Sequence, residues 1–308
     1  MTSRSRTFFK GAAFGAAAVL LLLWLFPALV PGGARGPVDG AALPTLERIR
    51  RAGVARVGFA NEAPYAYLDP KTGRLTGESP EIARVVLERL GVAKIQGVLT
   101  EFGALIPGLK AGRFDVIAAG MYITPPRCAE VAFSNPTYGI GEALVVRAGN
   151  PRGLHSYADV AARSDATLGV VTGAIEREDA LKSGIRPAQL QVFPDAITAL
   201  EAVSAGRVDA YGGTSLTVNT LLAHAANPAL ERAAPFTDPV IDGKTARGYG
   251  AFAFRKSDDA LRVAFDRELA QFVGSAAHEA LVKPFGFGPS ELPGAATAAA
   301  LCAPGKAK

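Results

Sequence analysis

An arginine near the middle of the chain is the residue whose position most clearly suggests chemistry. Arg127 lies in the polar segment 121–138, directly after the apolar run 114–119, which is typical of a buried strand. Thr124 is a good N-cap and Pro125 suits the first helical position, which places Arg127 in the first helical turn. A positive charge there opposes the helix dipole, whereas a guanidinium beside free backbone N–H groups suits a ligand carboxylate. The alternative is an ordinary solvated arginine.

Two further loops in the same half of the chain carry a carboxyl group and aromatic rings. Glu62 and Tyr65 lie in the first of these loops and Phe102 in the second, while Tyr122 belongs to the arginine segment itself. Glu62 is either an anchor for a ligand cation or a solvated carboxylate. The three rings either wall a compact pocket for a flat or cationic ligand or cover the core. Because each ring lies where a predicted strand ends, the pattern favours the pocket.

The second half of the chain supplies polar groups that can face this pocket. A predicted strand ends and a helix begins around Thr172, so its hydroxyl and the amides of Gly173 and Ala174 form a candidate carboxylate cradle opposite Arg127. A plain helix N-cap is the other interpretation, and both can hold together. Thr214 follows a later predicted strand and is expected to face the same cleft.

Short apolar runs alternate with amphipathic stretches along the chain, and this alternation is typical of an α/β protein. Ser79 is predicted to cap a helix whose first residue is Pro80 and which ends at Gly91. The other elements expected around the candidate site are strands at 54–59, 95–99 and 114–119 and helices at 104–111, 258–274 and 276–284.

A weak internal repeat indicates how these elements are organised. The segments 110–117 and 204–211 share the pattern Ala-Gly-Arg followed by an Asp two residues later, with Gly112 and Gly206 as left-handed helix ends. Coincidence is possible, since Ala-Gly-Arg is a common helix ending. Two related α/β lobes explain the repeat better, and ligands of such lobes bind where strand carboxyl ends face each other across a cleft.

Two extended crossovers are expected to join the lobes, at 138–146 and at 247–254, each with a pair of glycines suited to hinge rotation. The predicted organisation is a leader or membrane anchor at 1–30, lobe 1 at 42–139 plus 250–290, lobe 2 at 140–249, and a C-terminal tail at 291–308.

The first residues predict export. Basic side chains precede an uncharged apolar run at 11–30, which is typical of a signal peptide, with a retained membrane anchor as the alternative. No Cys follows the run, so a lipid-anchored form is not expected. Residues 1–35 carry four of the 33 basic side chains and none of the 28 acidic ones, so the rest of the chain is nearly neutral. A nucleic-acid partner is therefore not expected.

The only two cysteines, Cys128 and Cys302, are far apart in sequence. In an exported protein they can form a disulfide that ties the tail beside the Arg127 helix, and the alternative is two unpaired thiols. The tail after Pro289 is expected to be weakly ordered unless Cys302 holds it.

With these residues placed, the chain resembles type II periplasmic solute-binding proteins of the polar amino acid ABC-importer family over about residues 43–290. The resemblance is carried by the segment 120–134 with Pro136 and Tyr138. It implies a two-lobed periplasmic binding protein fold. It also implies that Arg127 pairs with a ligand carboxylate, helped by Thr172 and Gly173.

One departure from that family narrows the expected ligand. Members that bind ordinary α-amino acids carry an Asp for the ammonium group where this chain has Thr214, so a free α-ammonium is in doubt. Segments 61–65, 99–107, 118–124 and 238–244 are similar to the ectoine and hydroxyectoine-binding subgroup. That resemblance implies Glu62 on the amidinium, Arg127 on the carboxylate, and Tyr65, Phe102 and Tyr122 around the ring.

The expected function is therefore capture of ectoine or hydroxyectoine by lobe closure and delivery to an ABC permease, by a monomeric periplasmic protein. Uptake of a polar amino acid is the first alternative function. The chain could also be a cyclohexadienyl dehydratase-like enzyme or a sensor domain. We expect no enzyme activity, cofactor or metal, since the histidines are isolated in sequence and lack metal-ligand spacing: His155, His224 and His278.

Overall fold

A computed structural model describes residues 43–241 and 243–303. The predicted leader or anchor at 1–30 lies outside the described residues, as do the last residues of the tail. Among the residues described, none of the helices is both long and apolar enough to traverse a bilayer. The helices are α1 (Thr45–Ala52), α2 (Glu78–Arg89), α3 (Leu105–Lys110), α4 (Pro125–Glu130), α5 (Tyr157–Ala162), α6 (Glu176–Lys182), α7 (Ala196–Ser204), α8 (Ser215–Ala225), α9 (Asp259–Phe272), α10 (Ala276–Val282) and α11 (Ala298–Cys302).

The strands form two main sheets and two short hairpins. They are β1 (Val54–Phe59), β2 (Tyr67–Leu68), β3 (Leu75–Thr76), β4 (Lys94–Leu99), β5 (Val116–Tyr122), β6 (Ala132–Phe133), β7 (Tyr138–Ile140), β8 (Glu142–Arg147), β9 (Leu168–Val171), β10 (Leu190–Phe193), β11 (Ala210–Thr214), β12 (Leu230–Arg232), β13 (Val240–Ile241), β14 (Lys244–Thr245) and β15 (Gly248–Phe254).

The two main sheets repeat one topology. The first has the order β4-β1-β5-β15-β6, with β7 also paired to β15; β1 is parallel to β4 and β5, and β15 runs antiparallel. The second has the order β10-β9-β11-β8-β12, in which β9 is parallel to β10 and β11, and β8 runs antiparallel. We call the first sheet with its helices lobe 1 and the second lobe 2. The residue boundaries given above stay predictions.

The internal repeat marks the same position in both sheets. Gly112 and Gly206, with φ of 71° and 69°, end α3 and α7 just before the third strand of each sheet. The Asp that follows holds the start of the neighbouring strand. Asp115 accepts a hydrogen bond from the Arg56 amide, and Asp209 accepts one from the Thr167 amide, both at 2.9 Å. The repeated sequence therefore specifies a repeated helix-to-strand junction.

Two local expectations about lobe 1 are wrong. Gly77, not Ser79, is the N-cap of α2, so Ser79 and Pro80 lie inside the helix. The third strand begins at Val116 and extends to Tyr122, which makes Tyr122 the last residue of β5 instead of a loop residue. Apolar composition places a strand well, but where the strand stops depends on its partner: Tyr122 pairs with Gly250 of β15.

The C-terminal segment is fastened to lobe 1. A disulfide joins Cys128 of α4 to Cys302 of α11. The backbone N–H of Ala298 donates to the side-chain oxygen of Asn135 at 3.0 Å, and Asp266 of α9 in turn accepts from the Asn135 amide at 2.7 Å. The disulfide holds α11 against α4, the helix that carries Arg127.

Removing this crosslink is expected to destabilise the protein. Replacing both cysteines (Cys128→Ser with Cys302→Ser) frees a loop of 174 residues in the unfolded chain. The free energy of unfolding should fall by about 2–4 kcal/mol, measured by urea denaturation. Wild-type protein in reductant should match the double variant. Equal midpoints for the double variant and oxidised wild type would contradict the expectation.

Candidate ligand-binding site

A cavity lies where the strand ends of the two sheets face each other. It comprises about 410 Å³ of empty space, part of it open to solvent, and takes walls from both lobes. Lobe 1 contributes the loop after β1, the turn after β4, the end of β5 and α4, and lobe 2 contributes the ends of β9 and β11 with the start of α6. The lining residues are Glu62, Tyr65, Phe102, Ala119, Gly120, Tyr122, Arg127, Val171, Ala174, Ile175, Glu176, Tyr211 and Thr214.

Arg127 lies in the first turn of α4, and its side chain extends into this cavity. The Thr124 hydroxyl accepts from the Arg127 amide at 3.4 Å and caps α4, with Pro125 as first helical residue. The guanidinium donates through Nη1 to the Tyr122 carbonyl and through Nη2 to the Gly173 carbonyl, each at 2.8 Å. Among the described residues, no other hydrogen bond engages the guanidinium, so its remaining N–H groups can donate to an anion in the cavity. The bond to Gly173 joins the two lobes.

Glu62 lies at the end of a hydrogen-bonded row of hydroxyls that crosses the cleft. Thr217 donates to Glu62 Oε1 at 2.8 Å, and Thr214 donates to Thr217 at 3.0 Å. The Tyr65 hydroxyl lies 2.7 Å from Thr214 Oγ1. Since the Thr214 proton is directed at Thr217, Tyr65 is the donor to Thr214. Each lobe thus supplies two members of the row, and the row fixes the orientation of the Glu62 carboxyl.

The three predicted rings lie around the same cavity. Tyr65 and Tyr122 are buried, while Phe102 is partly exposed and packs against core residues of both lobes. The Arg127 guanidinium carbon lies 5.6 Å from the centre of the Phe102 ring, a cation–π distance. Tyr138 stacks on Tyr65 with ring centres 5.3 Å apart and supports it from behind.

The expected cradle at Thr172 and Gly173 stays a prediction, since neither residue lines the cavity in this structure. Both residues are exposed. Ile175 is the N-cap of α6, and the Thr172 hydroxyl donates instead to the Phe193 carbonyl at 3.0 Å. Gly173 also presents its carbonyl oxygen to the Arg127 guanidinium, a contact that the sequence did not predict. There is no room for a side chain at Gly173, because a Cβ there would lie 2.7 Å from the Gly103 Cα of lobe 1.

Sequence reasoning missed three polar groups at the site. Glu176 lies at the start of α6 and lines the cavity, as does Tyr211 of β11, and Thr217 holds Glu62 from the first turn of α8. Thr217 follows Thr214 by three residues, a spacing at which a capping threonine and a second hydroxyl meet, so this signal was available. No sequence pattern identified Glu176, because its position at the cavity is set by the turn between β9 and α6.

Burial dominates the electrostatics of the site. It raises the pKa of Glu62, and the Thr217 hydrogen bond partly offsets that rise. Burial lowers the pKa of Arg127, which the negative charge of Glu176 and Glu178 opposes. An arginine under such a shift stays charged at physiological pH. The cavity therefore carries a fixed positive charge near one end and carboxyl groups that are sensitive to what binds beside them.

A buried carboxyl behind the cavity holds its floor in place. Glu78 accepts from the hydroxyls of Ser79 and Thr137, each at 2.6 Å, and burial raises its pKa to about 7. Ser79 in turn accepts from the Gly120 amide at 3.2 Å. This arrangement explains why Ser79 lies within the helix, since its hydroxyl is used to fix Gly120 at the cavity instead of capping α2.

The paired glycines of the crossovers have a steric role in addition to the predicted hinge role, which stays a prediction. Gly139, Gly141, Gly248 and Gly250 are not among the glycines with positive φ. A Cβ at Gly248 would lie 1.6 Å from a ring carbon of Tyr122, and one at Gly250 would lie 2.1 Å from the Tyr138 ring. In β15 these glycines make room for the rings that line or support the cavity.

The sequence comparisons agree with this architecture. Residues 55–288 match the model of the bacterial extracellular solute-binding proteins, family 3, and the chain belongs to that family. Its sequence is 39% identical over 250 residues to a probable amino-acid ABC transporter periplasmic-binding protein of Sinorhizobium fredii, covering 80% of this chain and 82% of that one.

Solved structures show the same two-lobed fold, that of type II periplasmic binding proteins. One is EhuB in complex with hydroxyectoine, with a TM-score of 0.76 and 38% identity over 84% of this chain and 98% of EhuB. Another is an ancestral amino acid-binding protein described as a precursor of cyclohexadienyl dehydratase, with a TM-score of 0.67 and 27% identity over 78% of this chain and 99% of that one. The predicted fold class is confirmed.

The Gly248–Tyr122 contact makes a direct prediction about the cavity wall. Gly248→Ala should lower the free energy of unfolding by about 1–3 kcal/mol, because the new methyl group displaces the Tyr122 ring. In a Tyr122→Ala background the same change should cost much less, and urea denaturation of the four proteins gives the coupling. Equal costs in both backgrounds would show that the ring does not require this glycine.

Proposed function

We propose that this protein is the extracytoplasmic substrate-binding component of an ABC importer and that its ligand is ectoine or hydroxyectoine. The observation that carries the proposal is an interlobe cavity, walled by aromatic rings, that contains the Arg127 guanidinium and the Glu62 carboxyl oriented by Thr217. Ectoine combines a carboxylate with a positive charge delocalised over a ring amidinium, so its groups match this set.

Charge complementarity explains how closure would hold the ligand. The carboxylate would take the free N–H groups of Arg127, and the amidinium N–H groups would donate to Glu62. A contact between unit charges at about 4 Å is worth about 1 kcal/mol in water and about 4 kcal/mol at the effective dielectric of a protein surface. Closing the lobes therefore strengthens both pairs at the moment that water is excluded.

The side chains around Glu62 favour a delocalised cation over a free ammonium. Thr214, at the position where the α-amino acid binders have an Asp, is buried and hydrogen-bonded to Tyr65 and Thr217. It provides no charge for a tetrahedral ammonium group. Tyr65, Phe102 and Tyr122 provide ring faces, against which a flat cation gains both apolar contact and cation–π attraction.

A polar amino acid is the second candidate, and one observation favours it. Glu176 brings a carboxyl from lobe 2 into the cavity, on the side of the cleft from which α-amino acid binders supply theirs. If Glu176 is ionised in the complex, it can bind an ammonium group that Thr214 cannot. A thermal-shift panel separates the candidates.

We further propose that this protein is exported and delivers its ligand to an inner-membrane permease. It binds the ligand as a monomer, without a cofactor, and is not an enzyme. The family consists of extracellular solute-binding proteins, which supports the location. The Glu62 carboxyl, the candidate acid for a dehydratase, is engaged by Thr217. Incubation with prephenate or arogenate should give no turnover, and measurable product would contradict this part of the proposal.

Removing the guanidinium should abolish tight binding. Arg127→Ala should weaken ectoine binding by on the order of 2–5 kcal/mol in titration calorimetry, because a desolvated carboxylate is left unpaired. Arg177→Ala is the matched control, since Arg177 is an exposed arginine at the start of α6 and does not line the cavity. Unchanged affinity in Arg127→Ala would rule out its role as anchor.

The ligand panel should identify the ligand class. We expect ectoine and hydroxyectoine to raise the melting temperature of the mature protein, because both bind only the folded state. Glutamine, histidine and arginine should leave it nearly unchanged. The reverse pattern, with stabilisation by an amino acid and none by ectoine, would favour the second candidate.

A further inference from the structure

A neutral zwitterion is matched by one basic and one acidic side chain, but the interlobe cavity contains two carboxyl groups. Arg127 supplies one positive charge, while Glu62 and Glu176 supply two carboxyls. Glu176 is 5% exposed, and no ion pair joins it to a basic side chain of the described residues. The two hydrogen bonds that the Arg127 guanidinium donates go to backbone carbonyls, not to Glu176. The second carboxyl therefore faces the ligand space without a cation of its own, since Arg127 is the one basic residue among those that line the cavity.

Two charge states of the site would select different ligands. With both carboxyls ionised the cavity has a net charge of −1 and suits a ligand of net charge +1, such as a basic amino acid. With Glu176 protonated the cavity is neutral and suits a zwitterion. Burying an unpaired carboxylate is costly, and a buried carboxyl without a cation takes up a proton instead.

We propose that Glu176 is a specificity residue of lobe 2 that enters the closed cavity as a neutral carboxylic acid, contacts the ligand, and selects ligands of zero net charge. This inference rests on the proposed function. It adds a proton to the binding reaction. One proton moves from solvent to the Glu176 carboxylate as the lobes close on the ligand, and the neutral acid can then donate a hydrogen bond to the ligand carboxylate beside Arg127.

The surroundings of Glu176 support protonation on closure. Burial raises its pKa to about 8; its own backbone amide opposes the rise, Glu62 and Asp179 add to it, and Arg127 opposes it. The titratable or charged groups that face it are Glu62 and Tyr65 after β1, Tyr122 of β5, Arg127 of α4, Glu142 of β8, Tyr157 of α5, Asp179 of α6 and Tyr211 of β11. In that set only Arg127 is basic.

The sign of the pH dependence follows from this shift. A carboxyl whose pKa is raised on closure favours the closed state while it is protonated, and that contribution is lost as pH rises. Between the ordinary carboxyl pKa of 4.5 and about 8, the dissociation constant of a zwitterion should rise by up to about tenfold per pH unit. Glu62 binds the cation of the ligand and keeps its charge, so it adds no proton uptake.

The test is titration calorimetry of the whole protein with ectoine in two buffers of different ionisation enthalpy at pH 6.5, which counts protons taken up. Wild type should take up about one proton per ligand. Glu176→Gln, a neutral acid mimic, should still bind ectoine but with about one proton less, and its affinity should vary little with pH. Glu178→Gln is the control, because Glu178 lies on the same helix, pairs with Lys182 and does not line the cavity.

The outcomes separate the two proposals. Binding of ectoine without proton uptake, or with the same uptake in Glu176→Gln as in wild type, would overturn the role of Glu176 and leave the ligand assignment intact. Tighter binding of arginine or lysine than of ectoine by wild type, without proton uptake, would also overturn it. No heat with ectoine at any pH would overturn the proposed ligand and, with it, the neutral-ligand selection.

Discussion

The whole arrangement depends on charge held in a space that both lobes line. Arg127 and Glu62 belong to lobe 1, yet each is completed by lobe 2: the Gly173 carbonyl accepts from the guanidinium, and Thr217 donates to the carboxyl. Isolated in water, a guanidinium and a carboxylate attract a zwitterion weakly; enclosed, they attract it several times more strongly. In the proposed function, lobe closure is therefore converted into affinity, and selectivity comes from the match between the enclosed charges and those of the ligand.

The rest of the fold serves to place those charges. The same sheet topology occurs twice, and in each copy an Asp after the helix end accepts from a backbone amide in or just before the neighbouring strand: Asp115 from Arg56 and Asp209 from Thr167. Behind the cavity, Glu78 and Ser79 hold the floor at Gly120 through buried hydrogen bonds. At the side, β15 has glycine where Tyr122 needs room. Each device uses residues remote from the ligand to restrict the position of a residue that faces it.

The sequence predicted the positions of elements and lobe 1 side chains well, because those follow from local rules. Arg127 could be placed from the capping pattern of Thr124 and Pro125, and the repeated helix ends at Gly112 and Gly206 predicted the repeated lobes. On the lobe 2 side, Glu176 could not be predicted, since a turn of four residues (172–175) separates the end of β9 from the start of α6. That turn decides whether an amide, a carbonyl or a carboxyl faces the cleft, and it depends on contact with lobe 1 at Gly103, which no local pattern encodes.

A crystal structure of the protein with hydroxyectoine tests the central claim most directly. The account predicts that the ligand carboxylate accepts hydrogen bonds from Arg127 and that the ring nitrogens donate to Glu62, with Tyr65, Phe102 and Tyr122 in contact with the ring. A ligand whose carboxylate lies away from Arg127, or whose positive group lies away from Glu62 while both lobes are closed, would contradict it.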